Sequence, residues 1–181
     1  TFNVRLMLVQ LAHDENAPES TEQSVKGYSG DKQMILVVDD DLHQRQLMAE
    51  LLKPLGFGFM QAADAATGLG ILANNKIDLV LLDVRMPEID GWTMVKQMRE
   101  NNHLMPVVMV SANARDAETK LSAKGYHNGY LAKPVHFDAL LGKISELLPI
   151  IWQYSDNEPT DKLNDKLNDK NIFPIYYQKS Y

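Results

Sequence analysis

Apolar runs of strand length alternate with amphipathic segments between residues 34 and 149. The five runs are MILVV, GFGFMQA, IDLVLLD, MPVVMVS and GYLAKP. The segments between and after them carry apolar residues at helical spacing, as HFDALLGKISELL shows. Strands that are apolar throughout and joined by helical crossovers are typical of a parallel sheet covered on both sides. The pattern predicts an α/β fold, a doubly wound five-stranded parallel sheet with five helices distributed over both faces.

The two flanks of this region lack the pattern. Residues 11–33 are polar, contain Pro, Gly and Ser, and show no apolar period, so we expect a solvated linker without regular structure. Residues 150–181 include the repeat DKLNDKLNDK, which predicts a low-complexity tail. Residues 1–10 alternate apolar and polar side chains, which predicts one further strand ahead of the linker.

Composition limits the functional classes. A chain of 181 residues with 45% apolar residues can form one domain with a substantial core, plus extensions. It contains no cysteine, which excludes disulfides and thiolate metal sites. The net charge of -6 argues against direct nucleic-acid binding. Because no apolar stretch reaches about eighteen residues, we expect no membrane contact from this chain.

Polar side chains that can carry chemistry follow four of the predicted strands. These residues are Asp39, Asp40, Asp83, Ser111 and Lys133. The ligand crevice of an open parallel sheet lies at the carboxyl ends of its strands, so we expect these side chains to converge. Three crowded carboxylates either raise one another's pKa values or bind a hard cation such as Mg²⁺. Together with an amine and a hydroxyl, they form a set that can stabilise a transferring phosphoryl group.

The motifs VVDDD, LLDVRMPEIDGW, VSAN and YLAKP resemble those of the receiver domain of two-component response regulators, in order and in spacing. The resemblance covers residues 34–149 and implies the flavodoxin-like receiver fold. It implies that Asp83 is the phosphoacceptor and that Lys133 and Ser111 assist it. The chemistry implied for the chain is then limited to self-phosphorylation and autodephosphorylation.

The same resemblance implies a metal site for Mg²⁺ or Mn²⁺. Its direct ligands are Asp40, Asp83 and the backbone carbonyl of Arg85. Asp39 assists through a water molecule. The third aspartate of the cluster, Asp41, stands ahead of an amphipathic segment and is predicted to be a helix N-cap instead.

A switch is also implied by the resemblance. Ser111 occupies the position of the hydroxyl that bonds the phosphoryl group, and Tyr130 occupies that of the aromatic switch residue. Their coupling would change a surface formed by the fourth helix, the fifth strand and the fifth helix of the receiver. The Lys133–Pro134 peptide corresponds to the cis peptide of the family.

The flanks bear on the type of receiver. TFNVRLML resembles the closing strand of a histidine kinase ATP-binding domain, and it is not a signal peptide, so we expect a fragment of a longer chain. In a hybrid sensor histidine kinase, the end of the kinase is followed by a linker and then by a receiver, which is the order seen here. We expect such a protein to be cytoplasmic, or this chain to be the cytoplasmic part of a membrane-anchored sensor. The implied partner is a histidine kinase or a histidine phosphotransfer domain. The alternative is a stand-alone regulator that acts by protein contact, because nothing after residue 150 is a DNA-binding domain.

Simpler explanations exist for single residues. Ser111 alone could be a turn residue, Lys133 a surface charge and Tyr130 a core aromatic, but together they match at successive strand ends. His13 in HDENAP lies in a linker-like context, which favours a solvated histidine over a kinase phosphorylation site. The DDD cluster also resembles the D-x-D motif of haloacid-dehalogenase-type phosphatases, although that alternative leaves MPEIDG and the location of Asp83 unexplained.

Overall fold

The computed structural model describes residues 24–112 and 125–155, which belong to one compact unit, Ser24–Ser155. Seven strands and four helices lie within the described residues. The strands are β1 (Val25–Ser29), β2 (Met34–Val38), β3 (Gly58–Ala62), β4 (Leu79–Asp83), β5 (Val107–Ser111), β6 (Gly129–Ala132) and β7 (Ile151–Tyr154). The helices are α1 (Leu42–Leu52), α2 (Ala65–Asn74), α3 (Gly91–Glu100) and α4 (Phe137–Leu147).

Five of the strands form a parallel sheet in the order β3-β2-β4-β5-β6. This confirms the predicted doubly wound α/β fold. The chain moves from β2 to one side of the sheet and then crosses back to β4 on the other, so β2 and β4 flank the point at which the strand order reverses. Loops leave the carboxyl ends of these two strands in opposite directions and open a crevice there.

The sheet is buried between two hydrophobic layers. Alternate residues of β2, β4 and β5 face α1 and α4 on one side and α2 and α3 on the other. This double burial explains why these strands are apolar throughout. The predicted helix between β5 and β6 falls on residues 113–124, which lie outside the described part of the chain. Among the described residues, no helix combines the length and hydrophobicity needed to cross a bilayer.

A separate two-stranded antiparallel sheet joins the flanks of the domain. In it, β1 pairs with β7, and the paired residues Ser29 and Ile151 are 122 positions apart. The prediction that residues 11–33 lack regular structure was wrong for β1, and the predicted tail begins with β7. Both strands are short and lack a continuous apolar run, so their pairing depends on distant contacts that local pattern does not reveal.

An aromatic cluster anchors this small sheet. The Tyr28 ring stacks on Phe57 at a centroid distance of 4.4 Å, and Trp152 lies edge-on to both, at 6.4 and 6.0 Å. Phe57 is buried and directly precedes β3, while the Tyr28 hydroxyl accepts a hydrogen bond from the backbone N–H of Gln33, just before β2. The cluster therefore packs at the amino ends of the parallel strands.

We expect Trp152→Ala to lower the free energy of unfolding by about 2 kcal/mol, less than a fully buried tryptophan would, because Trp152 is only half-buried. Urea unfolding followed by circular dichroism measures the change. The neighbouring residue Gln153 is exposed and serves as the control, with an expected loss below about 0.5 kcal/mol for Gln153→Ala. Equal losses for the two variants would contradict a stabilising role for the cluster.

Candidate functional site

The loop after β2 presents two aspartates and uses a third to start α1. The Asp39 backbone N–H donates to Ala62 O (3.2 Å), and Asp39 Oδ1 accepts from the Asp41 N–H (2.9 Å). The Asp41 side chain accepts from the His43 N–H at 2.8 Å and caps α1, which confirms the predicted N-cap. Asp41 is therefore committed to the helix, whereas Asp39 and Asp40 stand at the crevice.

The loop after β4 folds back tightly on Asp83. The Gly91 N–H donates to Val84 O at 3.1 Å, and a Cβ on Gly91 would lie 2.2 Å from the Asp83 carbonyl oxygen. Only glycine allows the first turn of α3 to approach the strand so closely. Asp90, the residue before it, caps α3 by accepting from the Thr93 N–H at 2.7 Å. The Asp-Gly pair of the MPEIDG motif thus shapes the loop beside Asp83.

Four of the predicted site residues meet at the crevice. One carboxylate oxygen each from Asp39, Asp40 and Asp83 lies within 4.8 Å of the others. The Lys133 ammonium is 2.7 Å from Asp39 Oδ2 and 3.0 Å from Asp83 Oδ2. Asp39 and Asp83 are buried, with 5% and 6% of their surface exposed, whereas Asp40 is exposed.

The other predicted residues lie on neighbouring elements. Ser111 is fully buried at the end of β5, beside β4, and its carbonyl accepts from the Lys133 N–H at 2.8 Å. The Lys133–Pro134 peptide is cis. Arg85 is exposed, and its N–H donates to Asp83 Oδ1 at 3.3 Å. Tyr130 on β6 is half-buried, and its ring packs against the core on the side of α2 and α3.

Charge and burial act against each other at this site. Burial raises the pKa of Asp83, and the Asp39 charge raises it further, so the hydrogen bond from Lys133 only partly offsets them. Burial lowers the pKa of Lys133, but its hydrogen bonds to Asp39 and Asp83 outweigh burial and raise it overall. An ion pair alone would lower the pKa of its acid, so the rise at Asp83 shows that burial dominates. Lys133 is therefore a cation at neutral pH, and ionisation of Asp83 is costly.

The carboxylates fit a hard divalent cation. Mg²⁺ binds oxygen ligands octahedrally at about 2.1 Å, which places opposite ligands about 4.2 Å apart. The three carboxylate oxygens lie within 4.8 Å of one another, which is close to the largest separation between two ligands of such an ion. One ammonium cannot neutralise three carboxylates, which leaves an excess of negative charge for a cation to neutralise.

One site residue was missed by sequence reasoning. Arg45 is buried, at 8% exposure, and its Nη1 donates to the carbonyl oxygen of Asp39 at 2.7 Å. It lies on the inward face of α1 with Met48 and Leu52, where an apolar residue is the usual occupant. That break in the apolar stripe was a signal in the sequence that could have identified Arg45.

Comparison with known proteins identifies the family. The profile of the response regulator receiver domain matches residues 35–145, which is more than half of the chain. The chain belongs to the response regulator receiver family. Membership agrees with the parallel sheet, the acidic crevice and the motifs that resemble this family. It confirms the resemblance drawn from the sequence.

Relatives of this receiver include two kinds of signalling protein. The sensor histidine kinase RcsC of Escherichia coli (strain K12) is 36% identical over 138 residues, which are 75% of this chain and 14% of RcsC. The response regulator MprA of Mycobacterium sp. (strain KMS) is 33% identical over 114 residues, 63% of this chain and 50% of MprA. The chain thus spans one seventh and one half, respectively, of these relatives.

One solved structure is similar to this receiver over almost the whole length of the solved protein. The response regulator protein TrrA from Thermotoga maritima, in complex with Mg(2+)-BeF, superposes with a TM-score of 0.59 at 28% identity. The superposition covers 64% of this chain and 99% of TrrA.

We expect Asp83→Asn to stabilise the receiver at neutral pH by about 0.5–2 kcal/mol, because it removes a buried charge repelled by Asp39. The pKa of Asp83 is raised above 3.8 in the folded state. The folded chain therefore binds the Asp83 proton more tightly than the unfolded chain does. The stability that this proton contributes is complete below pH 3.8 and is lost as the pH rises through the folded pKa. The gain of the variant should accordingly shrink as the pH falls from 8 toward 4. Urea denaturation across this range measures it.

The control for this experiment is Asp138→Asn. Asp138 is exposed in the first turn of α4, where its charge favours the helix by about 0.3–1 kcal/mol, so the control should lose a little stability. An Asp83→Asn protein that is less stable than the unmodified chain at pH 7 would contradict the destabilising role of the buried carboxylate.

Proposed function

We propose that this receiver accepts a phosphoryl group on Asp83 in two-component signalling or a phosphorelay, in a reaction that requires Mg²⁺. The phosphodonor is a phosphohistidine of a histidine kinase or a histidine phosphotransfer domain. The convergence of Asp39, Asp40, Asp83 and Lys133 at the crevice of a receiver domain carries this proposal.

In the proposed reaction, a carboxylate oxygen of Asp83 attacks the phosphorus of the phosphohistidine. A P–O bond forms as the P–N bond breaks, and the leaving imidazole nitrogen keeps the electron pair and gains a proton. Lys133, 3.0 Å from Asp83 Oδ2, is positioned to bond an oxygen of the new phosphoryl group. The buried Ser111 hydroxyl bonds another.

The proposed role of the metal is to reduce electrostatic repulsion in the crevice. Mg²⁺ would offset the negative charge of the carboxylates and of the incoming phosphoryl group. Asp40, Asp83 and the backbone carbonyl of Arg85 would hold it directly, and Asp39 through water. Mn²⁺, which prefers the same oxygen ligands, should substitute for it.

Phosphorylation would reach the protein surface through β5 and β6. Ser111 pairs with Ala132, and its carbonyl bonds the Lys133 N–H, so displacement of Ser111 moves the strand that carries Tyr130. We expect Tyr130 to turn inward as the Ser111 hydroxyl moves toward the phosphoryl group. A partner that prefers one of the two arrangements is then recruited or released.

The parent protein we propose is a hybrid sensor histidine kinase that carries this receiver in the cytoplasm. The 36% identity to a receiver-length part of RcsC supports it, as does the strand-like pattern of residues 1–10, which lie outside the described residues. The similarity to MprA supports the alternative, a stand-alone regulator. The full-length coding sequence separates them, because a hybrid kinase encodes a phosphoacceptor histidine helix and a nucleotide-binding domain upstream.

We expect one phosphoryl adduct per chain after incubation with acetyl phosphate and Mg²⁺, because the acidic crevice repels an anionic donor without a cation. Intact-mass spectrometry should show no adduct with EDTA and none in Asp83→Asn. Labelling that persists in Asp83→Asn would exclude Asp83 as the acceptor. Repeated turnover of small phosphomonoesters would instead support a phosphatase of the haloacid-dehalogenase type.

Two neighbouring aspartates provide a matched control for the metal. Asp40→Asn removes a proposed ligand and should weaken Mg²⁺ binding by a factor of at least about 10. Asp41→Asn removes the adjacent charge but keeps a residue that caps helices, so its Mg²⁺ affinity should stay close to that of the unmodified chain. Equal losses would mean that net charge, not ligation by Asp40, determines the affinity.

We expect Ser111→Ala to accept phosphate, more slowly, but to transmit the change poorly, because the hydroxyl that links the phosphoryl group to β6 is gone. NMR shifts of Tyr130 after addition of Mg²⁺ and beryllofluoride measure the transmission. Ser29→Ala, in the small sheet, is the control and should respond fully. A full Tyr130 response in Ser111→Ala would refute this coupling.

A further inference from the structure

Arg45 is a buried cation without an acidic partner among the described residues. No carboxylate in the described part of the chain lies within 4.0 Å of its guanidinium, which donates a hydrogen bond from Nη1 to the Asp39 carbonyl oxygen. Met48 and Leu52 share its face of α1 and are apolar. Burial of a guanidinium is unfavourable unless its hydrogen bonds compensate. A charged residue at this position therefore calls for a role that an apolar residue could not fill.

The bond from Arg45 completes the fixation of Asp39. The Asp39 N–H donates to Ala62 O, its Oδ1 accepts from the Asp41 N–H, and its Oδ2 accepts from Lys133. Its carbonyl oxygen is held by Arg45. Backbone and side chain of Asp39 are thus both tied, by four different elements or loops of the domain.

The same bond helps to fix the direction of Asp40. The carbonyl of Asp39 and the nitrogen and Cα of Asp40 lie in one planar peptide unit, so a donor that holds the carbonyl also orients the start of Asp40. Asp40 is exposed, and among the described residues its carboxylate has no hydrogen bond or ion pair. Its orientation toward Asp39 and Asp83 therefore depends on the backbone that Arg45 holds.

We propose that Arg45 is a positioning residue for the divalent cation, which it serves by fixing the Asp39–Asp40 peptide. This inference rests on the proposed function and adds a residue that does not touch the cation. Mg²⁺ demands near-ideal ligand geometry, so its affinity is sensitive to partners that orient the ligands.

Electrostatics alone predicts the opposite effect. A guanidinium behind the carboxylates repels a cation, so its removal should strengthen Mg²⁺ binding if charge were its only influence. Positioning predicts weaker binding after removal. The sign of the change in Mg²⁺ affinity therefore distinguishes the two.

The test is isothermal titration of Mg²⁺ into the unmodified chain and into Arg45→Met, with folding verified by circular dichroism. We expect the dissociation constant of Arg45→Met to rise at least about tenfold. In the Mg²⁺-free proteins, amide hydrogen exchange at Asp40 and Asp41 should be faster in the variant. If Arg45→Met does not fold, Arg45→Gln, which is neutral and too short to reach the carbonyl, takes its place.

Arg99 supplies a matched control. Its Nη1 also donates to a backbone carbonyl, but from the last turn of α3 to His103 beyond the helix, near the opposite end of the sheet. Arg99→Met should lose stability and keep its Mg²⁺ affinity. Arg45→Lys retains a charged donor of similar reach and should recover part of the affinity lost in Arg45→Met.

Three results would overturn the inference. They are an unchanged or tighter dissociation constant in Arg45→Met, an equal weakening in Arg99→Met, and no recovery in Arg45→Lys. If the unmodified chain binds Mg²⁺, these results leave the proposed function intact. If the unmodified chain binds no Mg²⁺, the proposed function and this inference both fail.

Discussion

The site is organised around one costly arrangement, the burial of Asp39 and Asp83 beside a single ammonium. Both carboxylates are nearly inaccessible, and both bond Lys133. Repulsion and burial favour separation of these groups, so the fold must hold them together. The reversal of strand order between β2 and β4 brings the two acids to one crevice, and Lys133 directly follows β6. The folded backbone thus holds together two carboxylates that repel each other.

The loops around the crevice are also held in fixed positions. Asp41 and Asp90 cap the two helices that start beside the site, which fixes the loops after β2 and β4. Gly91 permits α3 to approach Asp83 closely, and Arg45 holds the Asp39 carbonyl. A cation or a phosphoryl group bound there would meet groups that are already oriented, which is how a rigid scaffold lowers the cost of binding.

The sequence predicts those features that local pattern or the position of a residue in a strand determines. The parallel sheet followed from apolar runs, the convergence of Asp39, Asp83 and Lys133 from their positions at strand ends, and the Asp41 cap from its place ahead of a helix. The β1–β7 sheet could not be predicted, because its strands are separated by the whole domain and neither has a distinctive pattern. Arg45 was overlooked because its break in the apolar stripe of α1 is a weak signal until the burial of the residue is known.

The two ends of the parallel strands differ in how they affect the stability of the domain. At the carboxyl ends, the burial and mutual repulsion of the acids of the candidate site lower stability, as is common at functional sites. At the amino ends, the Tyr28, Phe57 and Trp152 cluster buries aromatic surface and joins the flanks through β1 and β7. Since the cluster packs on the same core as α1 and α4, its contribution supports the elements that hold the acidic crevice. Loss of these strands would therefore remove stability from the elements that hold the destabilising acids together.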